Sequence, residues 1–310
     1  MKKLMKKTVA AIMAAAFISG GGAASLGGTG LFEPNMTANA ATEAVPLDFV
    51  SVSLDSSMNL NFYLPNFDEN NVCTYEMYDE VIISGTNGRI KYINNAFNYD
   101  SSGFYIYYSY PLYANQLDEK VSIRFRKGNQ FLKINVGGKT VSQYSYSVNQ
   151  YCDSLIESYE GKTKNAAISL KNFGLAAENY FDGGSYNIDF LDSEYNLDEF
   201  EPESSADVKY SLVLDSQLAA RVYIPDLPAD AEYEGLQAVA GKNGLNCFEI
   251  KNLAPTQLGD YYMLSYGDYD FAFSPLAYCY RAINSTNPKA VDAAKAVYEY
   301  YKYMTEYVNN

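Results

Sequence analysis

Apolar and polar residues alternate along two short segments near the start of the chain. Residues 48–54 read DFVSVSL, residues 58–64 read MNLNFYL, and the polar residues 55–57 separate them. Side chains of a β-strand point alternately to its two faces, so this alternation predicts two strands that pair as an antiparallel hairpin. The pattern returns over residues 210–226, YSLVLDSQLAARVYIPD, and predicts a second hairpin there.

More alternating segments follow in both parts of the chain. The sequence GTNG at residues 85–88 predicts a turn between two strands, because glycine and asparagine tolerate the positive φ that tight turns need. Residues 103–117 and 244–258 align over fifteen positions and share a Gly, a Leu, a Gln and a final Leu. Further strands are predicted at residues 81–84, 89–93, 120–126, 130–136, 140–146, 261–266 and 269–273.

Two helical segments follow the strands at equivalent places. Residues 146–181 recur 127 residues later as residues 273–308, and nine of the 36 aligned positions are identical. In both copies, apolar residues at a spacing of three or four predict an amphipathic second helix. Ser147 and Ser274 are candidate N-caps; Gln150 completes a capping box with Ser147, and a proline follows Ser274 where a missing N–H costs nothing. Each copy therefore predicts two helices.

These matches predict an α+β protein of two tandem modules, residues 41–181 and 208–310. Each module is predicted to be an antiparallel β-sandwich-like (Ig-like) sheet followed by a two-helix hairpin. The second is a trimmed copy, because the offset between matching residues falls from 160 to 141 to 127. Residues 182–207 contain nine acidic residues and no basic one, which predicts a loosely ordered acidic linker. The residues expected to touch the modules are Phe190, Tyr195 and Phe200.

The first forty residues predict a secretory signal peptide. Four lysines lie within the first seven residues, an apolar stretch covers residues 9–18, and Ala38 and Ala40 mark a cleavage site. The apolar stretch is too short to span a bilayer; a membrane anchor is the alternative interpretation. The sequence thus predicts an extracellular protein that does not span a membrane after cleavage. Any attachment to the cell surface is expected to be non-covalent or through a partner.

Charge and composition narrow the classes of function. The net charge is −14, and removal of residues 1–40 brings it to −17. Such a surface repels phosphate backbones, so nucleic acid is not expected as a partner, although solubility alone also explains the charge. The chain has 31 tyrosines but no histidine and no tryptophan. Because histidine is the usual general base and activates most nucleophiles, we predict that the protein is not an enzyme and has no cofactor.

Four cysteines permit two disulfides in a secreted protein. Cys152 and Cys279 occupy equivalent positions of the two copies, so one bridge per module predicts the pairs Cys73–Cys152 and Cys247–Cys279. The alternative is free thiols that pack in the core as small apolar side chains. Cys247 aligns with Ile106, which fits a core position under both interpretations.

Three short motifs point to a known group of proteins. They are YSVNQY at residues 146–151, NFGLA at residues 172–176 and LNFYL at residues 60–64. With these motifs the chain resembles an uncharacterised repeat module of secreted and surface proteins from clostridial gut bacteria. The second copy keeps Ser274 and Tyr278 but departs from the NFG run. The resemblance implies a small antiparallel β-domain joined to helices and a non-catalytic accessory role, and it transfers no functional residues.

Tyrosines are the candidate ligand-binding residues. Phe104 and Ile106 are expected to face the core, so Tyr105 and Tyr107 of the same strand would point outward. A corresponding alignment turns Tyr261 outward in the second copy. Exposed tyrosines stack on sugar rings or anchor a protein partner, because they offer large contact area at low entropic cost. The alternative is that tyrosine serves only as a good strand former.

Carboxylates offer weaker candidates. Residues 66–71 and 189–194 supply oxygen ligands suited to Ca²⁺, but neither has the EF-hand spacing, and solvated loops are the simpler interpretation. No motif selects a carboxylate pair for glycoside hydrolysis.

The sequence therefore predicts a secreted, non-catalytic binding or scaffolding protein at the bacterial cell surface. The alternative is a carbohydrate-binding accessory module that uses exposed tyrosines, with or without Ca²⁺. The expected partner is an extracellular protein or polysaccharide.

Overall fold

The chain has a mixed α+β architecture in which each half contributes antiparallel sheets and helices. The predicted signal peptide, residues 1–40, lies outside the residues that the computed structural model describes. These are residues 44–309 except 55–56, 69–70, 94–95, 215–216 and 242–243.

The first half, residues 44–181, contains three sheets. Their strand orders are β2-β3-β7-β6, β12-β8-β4-β5 with β9 paired to β8, and β1-β10-β11. The elements are β1 (Val45–Leu47), β2 (Phe49–Leu54), β3 (Met58–Pro65), β4 (Glu80–Gly85), β5 (Gly88–Ile93), β6 (Asn98–Tyr99), β7 (Tyr105–Pro111), β8 (Val121–Lys127), β9 (Gln130–Phe131), β10 (Ile134–Val136), β11 (Lys139–Val141), β12 (Tyr144–Tyr146), α1 (Val148–Ser158) and α2 (Lys162–Phe181).

The second half, residues 208–309, has one four-stranded sheet of order β13-β14-β18-β17 and two separate hairpins, β15-β16 and β19-β20. Its elements are β13 (Lys209–Leu214), β14 (Leu218–Tyr223), β15 (Glu232–Tyr233), β16 (Leu236–Gln237), β17 (Val239–Ala240), β18 (Asn246–Leu253), β19 (Tyr262–Tyr266), β20 (Tyr269–Phe273), α3 (Ala277–Ala282) and α4 (Pro288–Val308).

The predicted hairpins are present in both halves. β2 pairs with β3 in the register Phe49↔Tyr63, and β13 pairs with β14 over their whole length. The predicted strands 130–136 and 140–146 are each divided. β9 extends the sheet of β8, whereas β10 crosses to pair with β1 in parallel and with β11. The break follows from this change of partner, which alternation of apolar residues does not reveal.

The two predicted N-caps differ in the structure. The Ser147 hydroxyl accepts a hydrogen bond from the Gln150 N–H at 3.2 Å, and the Ser147 N–H donates to Gln150 Oε1 at 3.1 Å, which confirms the capping box. The prediction for Ser274 is wrong in position, because α3 begins only at Ala277. Ser274 instead accepts from the Leu276 N–H and donates to the Leu258 carbonyl, so it fixes the turn before the helix.

Helices α2 and α4 join the two halves. The rings of Phe173 and Tyr300 stack with centroids 4.6 Å apart and planes 12° apart, and each side chain is 1% exposed. Gly174, the next residue on α2, faces Leu117; a Cβ there would lie 2.6 Å from Leu117 Cδ1. In the NFG run, Phe173 therefore supplies the stacked ring, and Gly174 leaves the space that the turn at Leu117 requires.

The acidic segment, residues 182–207, lies against α2 and α4. The Asn172 amide donates to the Asp189 carbonyl at 2.8 Å. Glu299, which is fully buried, accepts from the Asp192 N–H at 2.8 Å and from the Tyr195 hydroxyl at 2.7 Å. Composition alone predicts a loose linker, but these contacts fix the segment on both helices.

Candidate binding surface

The sheet β2-β3-β7-β6 presents a cluster of aromatic side chains on the face turned away from the core. Its core face buries alternate apolar residues of every long strand. On the opposite face, the register aligns Phe49 with Tyr63 and Tyr63 with Tyr107 across three strands. Tyr105 lies two residues before Tyr107 on β7, and it is on the same face because side chains of a strand alternate between the two faces. Phe49, Tyr63, Tyr105 and Tyr107 form what we call the aromatic face.

The rings of the aromatic face stack on one another. Phe49 and Tyr63 have centroids 4.5 Å apart and planes 13° apart, and Tyr63 and Tyr107 follow at 4.9 Å and 22°. These separations match the distance between neighbouring strands, so the ring on each strand stacks on the ring of the next strand. Tyr63, in the middle, has both ring faces covered and is 5% exposed. The surface therefore presents ring edges and hydroxyl groups more than open ring faces.

Polar groups border the aromatic face at one end. Burial first, and then a hydrogen bond to the Asp48 carboxylate, raise the pKa of Tyr105. Desolvation raises the pKa of Asp100, but hydrogen bonds from the Ser102 hydroxyl and from the Tyr105 N–H outweigh it and hold the pKa below the ordinary 3.8. Asp48 and Asp100 thus bring carboxylates beside the phenol of Tyr105.

Phe104 does not face the core, contrary to the prediction. Its side chain is 74% exposed, while Ile106 is fully buried as expected. Strand β7 begins only at Tyr105, and Gly103 at φ 72° places Phe104 in a turn where alternation does not apply. The Phe104 carbonyl accepts from the Asn66 N–H at 2.8 Å, so the backbone at this turn is fixed although the ring is exposed.

Tyr261 is exposed but belongs to a different surface. It lies just before β19, its side chain is 56% exposed, and its hydroxyl donates to the Glu199 carbonyl of the acidic segment. Met263, the next outward residue, is 64% exposed, and Leu264 is buried as the alignment predicts. The structure therefore brings Tyr105 and Tyr107 together and leaves Tyr261 in the other half.

The structure contains neither predicted disulfide, since Cys73, Cys152, Cys247 and Cys279 are all free. Cys152, Cys247 and Cys279 are fully buried, which agrees with the alternative of core thiols. Burial raises the pKa of Cys152 to about 12, so this thiol is neutral and unreactive in the folded protein. Cys73 is partly exposed and hydrogen-bonded to the Tyr75 side chain.

The acid-rich loops use their carboxylates within the protein. In residues 189–194, both Asp192 oxygens lie 2.8 Å from the Lys302 ammonium. In residues 66–71, of which 69 and 70 lie outside the described residues, the Asp68 carboxylate accepts from the Val72 N–H at 2.8 Å. Within the described part of the chain, no group of three or more acidic, Cys or His side chains is placed to hold a metal ion.

A groove of about 570 Å³ between the two halves was not predicted from the sequence. All six residues of β13 line one side. Tyr113, Tyr180 and Phe181 of the first half line the other, and each is at least 38% exposed. Tyr278 of α3 also lines the groove and hydrogen-bonds to Tyr180, which connects the halves. The groove is lined by residues from four distant parts of the sequence, so no pattern within one segment predicts it.

Several carboxylates repel one another near the groove. Desolvation first, and then the charges of Glu178 and Asp182, raise the pKa of Glu119 above its ordinary 4.5. A raised carboxyl pKa means that ionisation of Glu119 disfavours the folded state above that pKa.

We therefore expect Glu119→Gln to raise the free energy of unfolding at pH 7, by about 0.5 kcal/mol or less because the site is largely solvated. The gain should vanish below pH 4.5, where the glutamate is neutral in both the folded and the unfolded state. Urea unfolding of both proteins at pH 7 and pH 4 measures this difference. Glu306→Gln, a change on α4 outside this group, is the control; an equal gain there, or a gain that persists at pH 4, would contradict the assignment.

In the comparisons with known proteins, no family model, no curated protein and no solved structure matches the chain. Within the described residues, no helix combines the length and the apolar character that crossing a membrane requires.

Proposed function

We propose that the protein is a secreted, non-catalytic binding or scaffolding protein that contacts an extracellular protein at the bacterial cell surface. The observation that supports this most is the aromatic face, which places four aromatic side chains on one side of a sheet and leaves Tyr105 and Tyr107 partly exposed. Tyrosine is enriched at protein interfaces because one ring provides apolar contact and a hydrogen-bonding hydroxyl.

The geometry of the rings favours a protein over a sugar as the partner. A sugar ring stacks on an open aromatic face, whereas Tyr63 is covered on both sides and only the outer members of the row retain accessible surface. The alternative, a carbohydrate-binding accessory module, rests on the hydroxyl groups of the row and on Asp48 and Asp100 as hydrogen-bond acceptors.

The proposal includes two tandem β-sandwich-like modules of the clostridial repeat type, residues 41–181 and 208–310. Residues at matching positions of the two copies make comparable contacts, which supports two related modules. Phe173 and Tyr300 occupy the same place in the two copies and stack on each other. Where α2 has Gly174 against Leu117, α4 has the bulky Tyr301, and there the neighbouring turn carries Gly259, whose absent Cβ leaves room for the Tyr301 hydroxyl. In each half a glycine leaves room for a large side chain, on the helix in the first half and in the turn in the second.

The double variant Tyr105→Ala/Tyr107→Ala tests the proposed function. We expect it to weaken partner binding at least about tenfold, because the loss of two interface aromatics commonly costs 2 kcal/mol or more. The wild-type protein and the variant are compared in capture of proteins from the producing cell's secretions and envelope, and on an array of glycans and cell-wall polymers.

Tyr261→Ala is the matched control, since it removes an exposed tyrosine from the other half. Capture of a protein by the wild type and by Tyr261→Ala, but not by the double variant, is the expected outcome. Glycan binding that the double variant loses would establish the carbohydrate alternative instead. A partner that all three proteins capture equally would refute a role for the aromatic face.

A further inference from the structure

Strand β13 is an unpaired edge of its sheet. In the order β13-β14-β18-β17 it occupies the end, and among the residues that the structure describes its six residues pair only with β14. The groove between the halves contacts every one of these six consecutive residues. Since strand side chains alternate between two faces, a cavity that touches all of them lies along the edge of the strand. The backbone N–H and C=O groups that β14 does not use lie at this edge, and the lining residues Arg221 and Tyr223 show that the cavity also extends over one face of the sheet.

The edge strand at the equivalent place of the first half is more buried. β2 also ends its sheet, and four of its six residues are buried, whereas none of the six residues of β13 is buried. An exposed edge strand is a template for pairing with another chain, and proteins usually cover or shorten such edges. β13 is the more exposed of the two edge strands, and a groove follows it.

The walls of the groove fit an extended chain. Opposite β13, the aromatic side chains of Tyr113, Tyr180 and Phe181 form a partly exposed apolar wall, and Ala293 and Val297 of α4 form its floor. A six-residue strand extends over about 20 Å, and its alternate side chains require apolar contacts on both sides. Backbone pairing with β13 would supply affinity, and these walls would select the side chains.

The residues that line the groove carry a positive charge, opposite to that of the protein, although the Asp182 carboxylate lies at its rim and accepts from the lining Asn115 amide. Its lining includes two basic residues, Lys209 and Arg221, and no acidic residue, although the chain has 37 acidic and 23 basic residues. Lys209 is exposed at one end of β13, while the Arg221 guanidinium is paired with Glu249. The exposed ammonium group of Lys209 at one end of an apolar groove complements a carboxylate of the ligand.

We infer that the groove binds an extended acidic peptide, which joins the sheet as a fifth strand along β13 and places a carboxylate against Lys209. This site is separate from the aromatic face and does not depend on the function proposed for that face. The ligand class is a segment of four to seven residues with β-branched or aromatic side chains and at least one acidic side chain or a free C-terminus.

A library of random heptapeptides displayed on phage tests the inference against the purified protein. We expect enriched peptides that contain acidic residues and strand-forming residues. As free synthetic peptides they should bind at least about tenfold more weakly to Lys209→Glu, which reverses the charge of an exposed side chain. Phe181→Ala, which shortens the wall at a 49% exposed residue, should also weaken them. Lys139→Glu, on exposed β11, is the control and should bind normally.

Amide hydrogen exchange provides the second measurement. Bound peptide should slow exchange within residues 209–214, because the open-edge N–H groups become hydrogen-bonded, and should leave β2 unchanged. The inference is overturned if no peptide is enriched, if the enriched peptides lack acidic residues, or if they ignore both groove variants. Protection of β13 without peptide, in a protein that sediments as a dimer, would equally overturn it and assign the edge to a second copy.

Discussion

Tyr300→Ala is expected to lower the free energy of unfolding by about 3–5 kcal/mol, the range for removal of a fully buried aromatic side chain. Tyr300 is 1% exposed and stacks on Phe173 between the two halves. The change removes ring contacts from α2 and α4 together and leaves a cavity that neither helix can close alone. Urea unfolding followed by far-ultraviolet circular dichroism measures the loss.

The control for Tyr300→Ala is Tyr261→Ala, which removes the same side chain at a 56% exposed position and should cost less than about 1 kcal/mol. Both proteins should unfold in a single transition, because the larger of the two core clusters contains residues from both halves, although the smaller cluster lies within the second half. A second transition in Tyr300→Ala, with one half unchanged in midpoint, would show that the halves fold independently. A loss equal to that of the control would contradict the importance of the stack.

The regular parts of the fold were predictable because local rules decide them. Alternation gave the hairpins β2–β3 and β13–β14, and the Ser147 capping box gave the start of α1. Predictions failed where a distant partner decides the outcome. Phe104 obeys the alternation of β7 in sequence, but Gly103 turns the chain before the strand begins.

The candidate binding surfaces were likewise predictable only where local rules decide them. The outward direction of Tyr105 and Tyr107 follows from period two, and the structure places both on one face. Their stacking through Tyr63 depends on the register of β3 against β7, which the sequence does not specify. The groove could not be predicted from the sequence, because Tyr113, Tyr180 and Tyr278 come together only when the helices of the two halves pack.

Glu299→Ala is expected to detach part of the acidic segment and to lower the free energy of unfolding by about 3 kcal/mol, since it removes two hydrogen bonds to a carboxylate and leaves their donors without an acceptor. The Asp192 N–H and the Tyr195 hydroxyl both bind Glu299 Oε1, within 2.8 Å. Lys302 and Tyr303 still hold the Asp192 side chain, so the release should begin at Tyr195 and extend toward residue 207.

A protease that cuts after glutamate measures this release directly, because the released part contains Glu199, Glu201 and Glu203. Cleavage there should be at least about tenfold faster in Glu299→Ala, in proportion to the larger fraction of open segment. Glu299→Gln keeps an acceptor oxygen and similar volume, so it should stay close to the wild type if hydrogen bonding holds the segment. Glu306→Ala removes a partly exposed carboxylate from the same helix and controls for charge. Wild-type cleavage in Glu299→Ala would mean that Asp192 and the buried Phe200 hold the segment without Glu299.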